Sequence, residues 1–196
     1  MSNRGYKLEH DIEAFLLELA EQAIMMPLYD RCHRVPTSGA HRSMKGDVIS
    51  MKVPFFTKQL MFECKRRKER VKRGFSFTLP EVWLTKNEEE AKEVDHYPIF
   101  IGAYTGAQTN RMFVVVDDVV ADNFLYIPQK PIFSIKINNK KRFKIRKWEV
   151  DPLFNKDIYS CIELKGNVKN WILISFHHFD IILKKKRDDY GKLPRT

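Results

Sequence analysis

Asp47, Glu63 and Lys65 are the residues of this chain whose types and spacing most readily suggest chemistry. Asp47 opens the apolar run Asp47-Val48-Ile49, and Glu63 and Lys65 sit two apart in Phe62-Glu63-Cys64-Lys65. In an extended strand, side chains two apart face the same way. Glu63 and Lys65 are therefore expected on one face, with Phe62 and Cys64 on the other. If the two runs pair as a hairpin, Asp47 joins the polar face, and two carboxylates and an ammonium converge. Carboxylate oxygens suit Mg²⁺, with Mn²⁺ as a substitute, and waters and a substrate phosphate complete the octahedron. A metal held by Asp47 and Glu63 acidifies a bound water and neutralises charge developing at phosphorus. Lys65 would orient that water or stabilise the transition state. The backbone carbonyl of Cys64 is a further candidate ligand, because strand carbonyls lie near such a site. Taken alone, an Asp followed by Glu-x-Lys is a short pattern that arises by chance in many chains.

The surrounding elements decide whether these groups meet. Residues 6–26 read as an amphipathic helix, with Leu8, Ile12, Phe15, Leu19 and Ala23 forming one apolar stripe that Pro27 ends. Glu9 falls at the edge of that stripe beside Leu16, so it is the helical acid best placed to approach an interior site. A short extended piece, Arg34-Val35-Pro36, leads into the polar loop 37–43. Strands are expected over 47–53 and 59–65, a helix over 79–95 with Pro80 near its start, and strands at 99–104 and 112–116. Beyond residue 124 the pattern turns to β. A hairpin is expected from Ile132–Ile137 and Arg142–Trp148 across an Asn-rich turn, followed by strands at 158–164 and 171–183. Lys184 to Thr196 reads as a frayed basic tail.

The chain has 196 residues, enough for one well-filled core, and 43% apolar content fits a globular protein. No apolar run approaches the roughly 20 residues that span a bilayer, so no membrane partner is expected. Arg4, Lys7, Glu9 and Asp11 leave no continuous apolar segment for a secretory signal. Three widely spaced cysteines, Cys32, Cys64 and Cys161, argue against a disulfide framework or a zinc ribbon and for a reducing, cytoplasmic setting. The adjacent His177 and His178 lack the spacing of a helical zinc pair and are expected on opposite faces of a strand. Trp83, Trp148 and Trp171 are expected in the core.

Thirty-five Lys and Arg against twenty-five Asp and Glu give a net charge of +10, which favours a polyanionic partner. The densest run contains Arg66, Arg67, Lys68, Arg70, Lys72 and Arg73 and begins inside the candidate site, so phosphate contact is expected there. It also has the composition of a nuclear-import signal. Arg142, Lys144 and Arg146 alternate with apolar residues, so a strand would carry them on one face, either tracking a nucleic-acid backbone or as a solvated outer row. Arg34 and Arg42 flank the polar loop and are further candidates for phosphate contact.

With these residues in place, the chain resembles the PD-(D/E)xK nuclease superfamily, Gly46-Asp47 standing where Pro-Asp is common. Four segments in order are similar to archaeal-type Holliday junction resolvases. They are Arg4-Gly5-Tyr6-Lys7-Leu8-Glu9-His10-Asp11-Ile12, Arg34-Val35-Pro36-Thr37-Ser38-Gly39, Gly46-Asp47-Val48-Ile49, and Phe62-Glu63-Cys64-Lys65-Arg66-Arg67-Lys68. The match covers residues 4–75, with looser agreement to residue 116. It implies an α/β restriction-endonuclease-like core: an N-terminal helix, a mixed central sheet and a flanking helix, followed by a β-rich extension. It implies a homodimeric, Mg²⁺-dependent endonuclease that cuts four-way DNA junctions with paired nicks. Glu9 would be the helical acid of the site, reaching the metal through water, and Ser38 would lie on the loop near the scissile phosphate. Residues 1–128 would form the nuclease core, 129–185 the extension packed on it, and 186–196 the tail. The extension has no counterpart in a minimal resolvase. It leaves room for a phage or viral relative acting on another DNA substrate in the host cytoplasm, or for a non-catalytic nucleic-acid-binding protein.

Overall fold

A computed structural model describes residues 4–21, 32–34, 47–50, 57–68, 76–105, 110–125, 131–154 and 160–191. The expected α/β architecture is present, with a central mixed sheet and flanking helices. Helix α1 (Arg4–Glu21) opens the chain, and Leu8, Ile12, Leu16 and Leu19 bury its apolar stripe. Strand β1 (Cys32–Arg34) pairs antiparallel with β2 (Val48–Ser50), which pairs antiparallel with β3 (Leu60–Lys68). Strand β4 (Ser76–Pro80) leads directly into helix α2 (Glu81–Glu93), with Pro80 at the cap. This crossover returns the chain to β5 (Tyr97–Thr105), parallel to β3, and β6 (Asn110–Asp117) then pairs antiparallel with β5.

The back half continues the same sheet. After the short helix α3 (Asp118–Val120), a π-helical turn (Ala121–Leu125) and β7 (Phe133–Lys136) come β8 (Arg142–Arg146), helix α4 (Lys147–Phe154), β9 (Ile162–Lys165) and β10 (Asn170–Ser175). The eight-stranded order is β1-β2-β3-β5-β6-β10-β9-β7. Its inner strands are covered on both faces, which is why Tyr97–Thr105 reads as nearly continuous apolar sequence. Ile99 and Ile101 pack with α1 and Phe179 on one face. Phe100 packs on the other with Leu84 of α2, Val150 of α4, and Phe77 and Phe143 of a second, two-stranded sheet. Buried carboxylates tie the layers together. Glu81 at the start of α2 accepts from the backbone N–H groups of Asn167 (2.7 Å) and Val168 (3.2 Å) in the β9–β10 turn.

Several expectations fail, the first because distant partners decide. The Asn-rich turn forms, with Asn138 Oδ1 accepting from the Lys140 N–H at 2.9 Å, but β7 and β8 do not pair with each other. Strand β7 lies parallel beside β9, and β8 pairs with β4, so that Phe143 and Ile145 meet Phe77 and Leu79 in one core. The expected strand 171–183 stops at Ser175, whose Oγ accepts the His178 N–H at 3.0 Å and caps helix α5 (Phe176–Gly191). His177 and His178 are thus helical, the first exposed and the second buried. The same helix runs through Lys184 to Gly191, so that segment is not a frayed tail. Among the described residues no helix is long and apolar enough to cross a membrane.

Candidate active site

The hairpin register brings the candidate site together. Val48 stands opposite Phe62, and the Asp47 N–H donates to the Phe62 carbonyl at 2.7 Å, so Asp47 sits beside Glu63. The period-two alternation of β3 buries Phe62 and Cys64 against α1 and turns Met61, Glu63 and Lys65 toward α2. Lys65 Nζ lies 3.6 Å from Asp47 Oδ2 and forms a close ion pair with Glu63 Oε1. Asp47 is only 6% exposed, and its Oδ2 accepts the Cys64 N–H at 2.7 Å, which locks the carboxylate to the edge of β3. The Cys64 carbonyl points to the edge of β3 that faces β2, as the Phe62 carbonyl does.

The electrostatics show a surplus of negative charge. Burial, and next the Asp47 carboxylate, raise the Glu63 pKa, and Lys65 only partly offsets them. Burial works against the Lys65 ammonium, but Asp47 and Glu63 outweigh it and its pKa rises. Burial pushes the Cys64 thiol well up, reinforced by Asp47, Glu63 and Glu9, so Cys64 is a packing residue and not a nucleophile. That influence also places Glu9, on α1, within electrostatic reach of β3.

Among the described residues no group of three or more His, Cys, Asp and Glu side chains could hold a metal. The donors available at Asp47 and Glu63 are oxygens alone, and one or two carboxylates are what Mg²⁺ ordinarily takes from a protein. A divalent cation would also meet the charge deficit that Lys65 leaves. The donor set therefore fits a hard cation completed by water and phosphate.

The remaining expectations divide clearly. Arg142, Lys144 and Arg146 line one exposed face of β8, although Arg146 also faces Glu149, Nη1 to Oε1 at 3.8 Å. Arg66 is half-buried on β3. The backbones of Arg34, Arg67 and Lys68 lie in strands, but their side chains fall outside the described residues, as do Ser38, Arg42, Arg70, Lys72 and Arg73 entirely. Trp83 packs on Phe100 as a core residue should, and it also sits 6.0 Å from Lys65 Nζ. Glu90, not singled out from the sequence, adds to the negative field on Glu63. Only the crossover by α2 brings Trp83 and Glu90 to β3, and no local pattern announces it.

The raised Glu63 pKa has a sign that can be tested. A carboxyl whose folded pKa exceeds its unfolded value stabilises the fold below the unfolded pKa, and that contribution is lost as pH rises through the folded pKa. Ionised Glu63 is therefore a cost to the metal-free protein at neutral pH. Glu63→Gln is expected to raise Tm by ~2–4 °C at pH 7, equivalent to about 1 kcal/mol. The gain should shrink on acidification through the carboxylate range. Thermal melts in EDTA across pH check this, and a Tm lowered at pH 7 would show that the Lys65 contact outweighs the burial of charge.

No family model and no curated sequence matches the chain. Among solved structures, it is similar to a Holliday junction resolvase of the archaeal hyperthermophile Archaeoglobus fulgidus. Identity is 15%, over 76% of this chain and 88% of that one, with a TM-score of 0.41.

Proposed function

We propose that the protein is a metal-dependent DNA endonuclease that hydrolyses phosphodiester bonds, acting on four-way junctions. The observation that carries the reading is the meeting of Asp47, Glu63 and Lys65 on one face of the β2–β3 hairpin. Asp47, Glu63 and the Cys64 carbonyl would hold Mg²⁺, with Glu9 reaching it through water. When bound, the cation supplies an acidified water and charge neutralisation at phosphorus. Asp47, fixed by the Cys64 N–H, keeps its carboxylate at one orientation at the β3 edge. Lys65, its charge reinforced by the same two acids, orients the attacking water and stabilises charge on the phosphoryl oxygens. Ser38 and the basic run after Lys65 are proposed to contact the scissile strand. The exposed row on β8 offers cations at alternate strand positions to neighbouring phosphates.

Junction selectivity rests on the ordered motif likeness of residues 4–75. Resolution needs two nicks, and a homodimer supplies two such sites. The test is cleavage of a labelled four-way junction, a flap and a linear duplex of matched sequence, each with Mg²⁺ and with EDTA. Mg²⁺-dependent cutting of the junction ahead of the others is the expected result. Faster cutting of flap or duplex reassigns the substrate, and binding without cutting in any metal overturns the enzymatic reading.

A further inference from the structure

Asn87 of α2 takes no part in the chemistry above, yet it is buried at 4% exposure with an Oδ1 that has no hydrogen-bond partner. Folded proteins rarely leave a buried amide oxygen without a donor, so such a group calls for a cause. Its place along the helix supplies one. Helix α2 packs on β5, the sheet neighbour of β3, and reaches β3 side chains at two places. Met61 packs against Ala91 and Val94 at one end, and Lys65 Nζ lies 6.0 Å from the Trp83 ring at the other. Glu63 is midway between Met61 and Lys65, and Asn87 is midway between Ala91 and Trp83. The two spans match, ~13 Å of strand against ~12 Å of helix. Around the helix axis, at about 100° per residue, Asn87 also projects between Trp83 and Ala91. Along α2, Asn87 thus falls at the level of Glu63, on the helix face that carries Trp83 and Ala91.

We propose that Asn87 is a positioning residue of the candidate site, its Oδ1 accepting a hydrogen bond from a water on the divalent cation held by Asp47 and Glu63. This rests on the metal reading above. A neutral acceptor suits the place, since another charged acid would add to the repulsion already acting on Glu63. It orients a water without contributing a ligand.

Calorimetric titration of Mn²⁺ into the full chain without DNA tests the assignment, using wild type, Asp47→Asn, Asn87→Leu and Asn87→Asp. Loss of a group that orients the ligands of a metal weakens binding roughly 10–100-fold, and that loss is expected for Asn87→Leu. Its metal-free Tm should stay level or rise, because the unpaired acceptor is gone. Asn87→Asp places a third carboxylate beside the pair and should tighten Mn²⁺ binding by about tenfold. If Asn87→Leu does not fold, Asn87→Asp decides. Wild-type affinity in both Asn87 variants, with binding lost in Asp47→Asn, overturns the role of Asn87 and leaves the metal site standing. No Mn²⁺ binding by wild type overturns the metal site, and this inference with it.

Discussion

Asp47→Asn is expected to lower junction cleavage by ~10³-fold or more, several kcal/mol of lost transition-state stabilisation, while junction affinity stays within about twofold. The choice of asparagine matters. Asp47 Oδ2 accepts the Cys64 N–H at 2.7 Å in a buried setting, and the asparagine carbonyl can take that hydrogen bond. Alanine would leave the Cys64 N–H without a partner at ~1–3 kcal/mol, mixing lost chemistry with a loosened strand edge. Asparagine removes only the charge that a hard cation needs and that supports Lys65 across 3.6 Å. The proposed DNA contacts are lysines and arginines elsewhere, so affinity should hold. Cleavage rates and gel-shift affinities, with a melt to confirm folding, read the two effects separately. Cleavage at the wild-type rate would falsify the site assignment.

The part of this arrangement legible from sequence is the part governed by short-range periodicity. Alternation along Phe62-Glu63-Cys64-Lys65 dictates that Glu63 and Lys65 share a face, and the α1 stripe at Leu8, Ile12 and Leu16 follows from helical spacing. Pairing β2 with β3 needs only the neighbouring run. Choices between distant partners were not legible. The alternation in Arg142–Arg146 is the same whether the strand returns on β7 or crosses to β4, and the choice falls to Phe77 and Leu79, some 65 residues earlier. The end of β10 was signalled, by Ser175 as a cap and by Phe179 and Leu183 spaced four apart and both buried on α5. The apolar run Trp171-Ile172-Leu173-Ile174 masked that signal, because short apolar runs suit strand and helix alike. The places of Trp83, Asn87 and Glu90 depend on the α2 crossover, which no local pattern encodes.

Gly102→Ala is expected to be among the most damaging single-methyl changes in the protein. Gly102 lies beside Lys65 in the β3–β5 ladder and opposite Phe113 in β6. The Phe113 ring occupies the space a Cβ would need, with ring carbons 2.1–2.6 Å from its position. The ring is fully buried and sits edge-on to Phe77 at 5.1 Å, wedged between the main sheet and the two-stranded one. A methyl group can therefore be placed only by displacing Phe113, and the displaced ring must push β4 or β6. Such overpacking in a closed core costs roughly 2–4 kcal/mol, a fall in Tm of about 5–15 °C for a chain of this size. If the ring is the obstacle, Phe113→Leu should cost less in the Gly102→Ala background than in wild type, because the smaller side chain vacates part of that space. Denaturation of the two single variants and the double variant measures this coupling. Strict additivity would mean that Phe113 yields freely and that glycine is not required beside Lys65. Coupling of the expected sign would make Gly102 the residue that lets an aromatic wall close against the sheet next to Lys65.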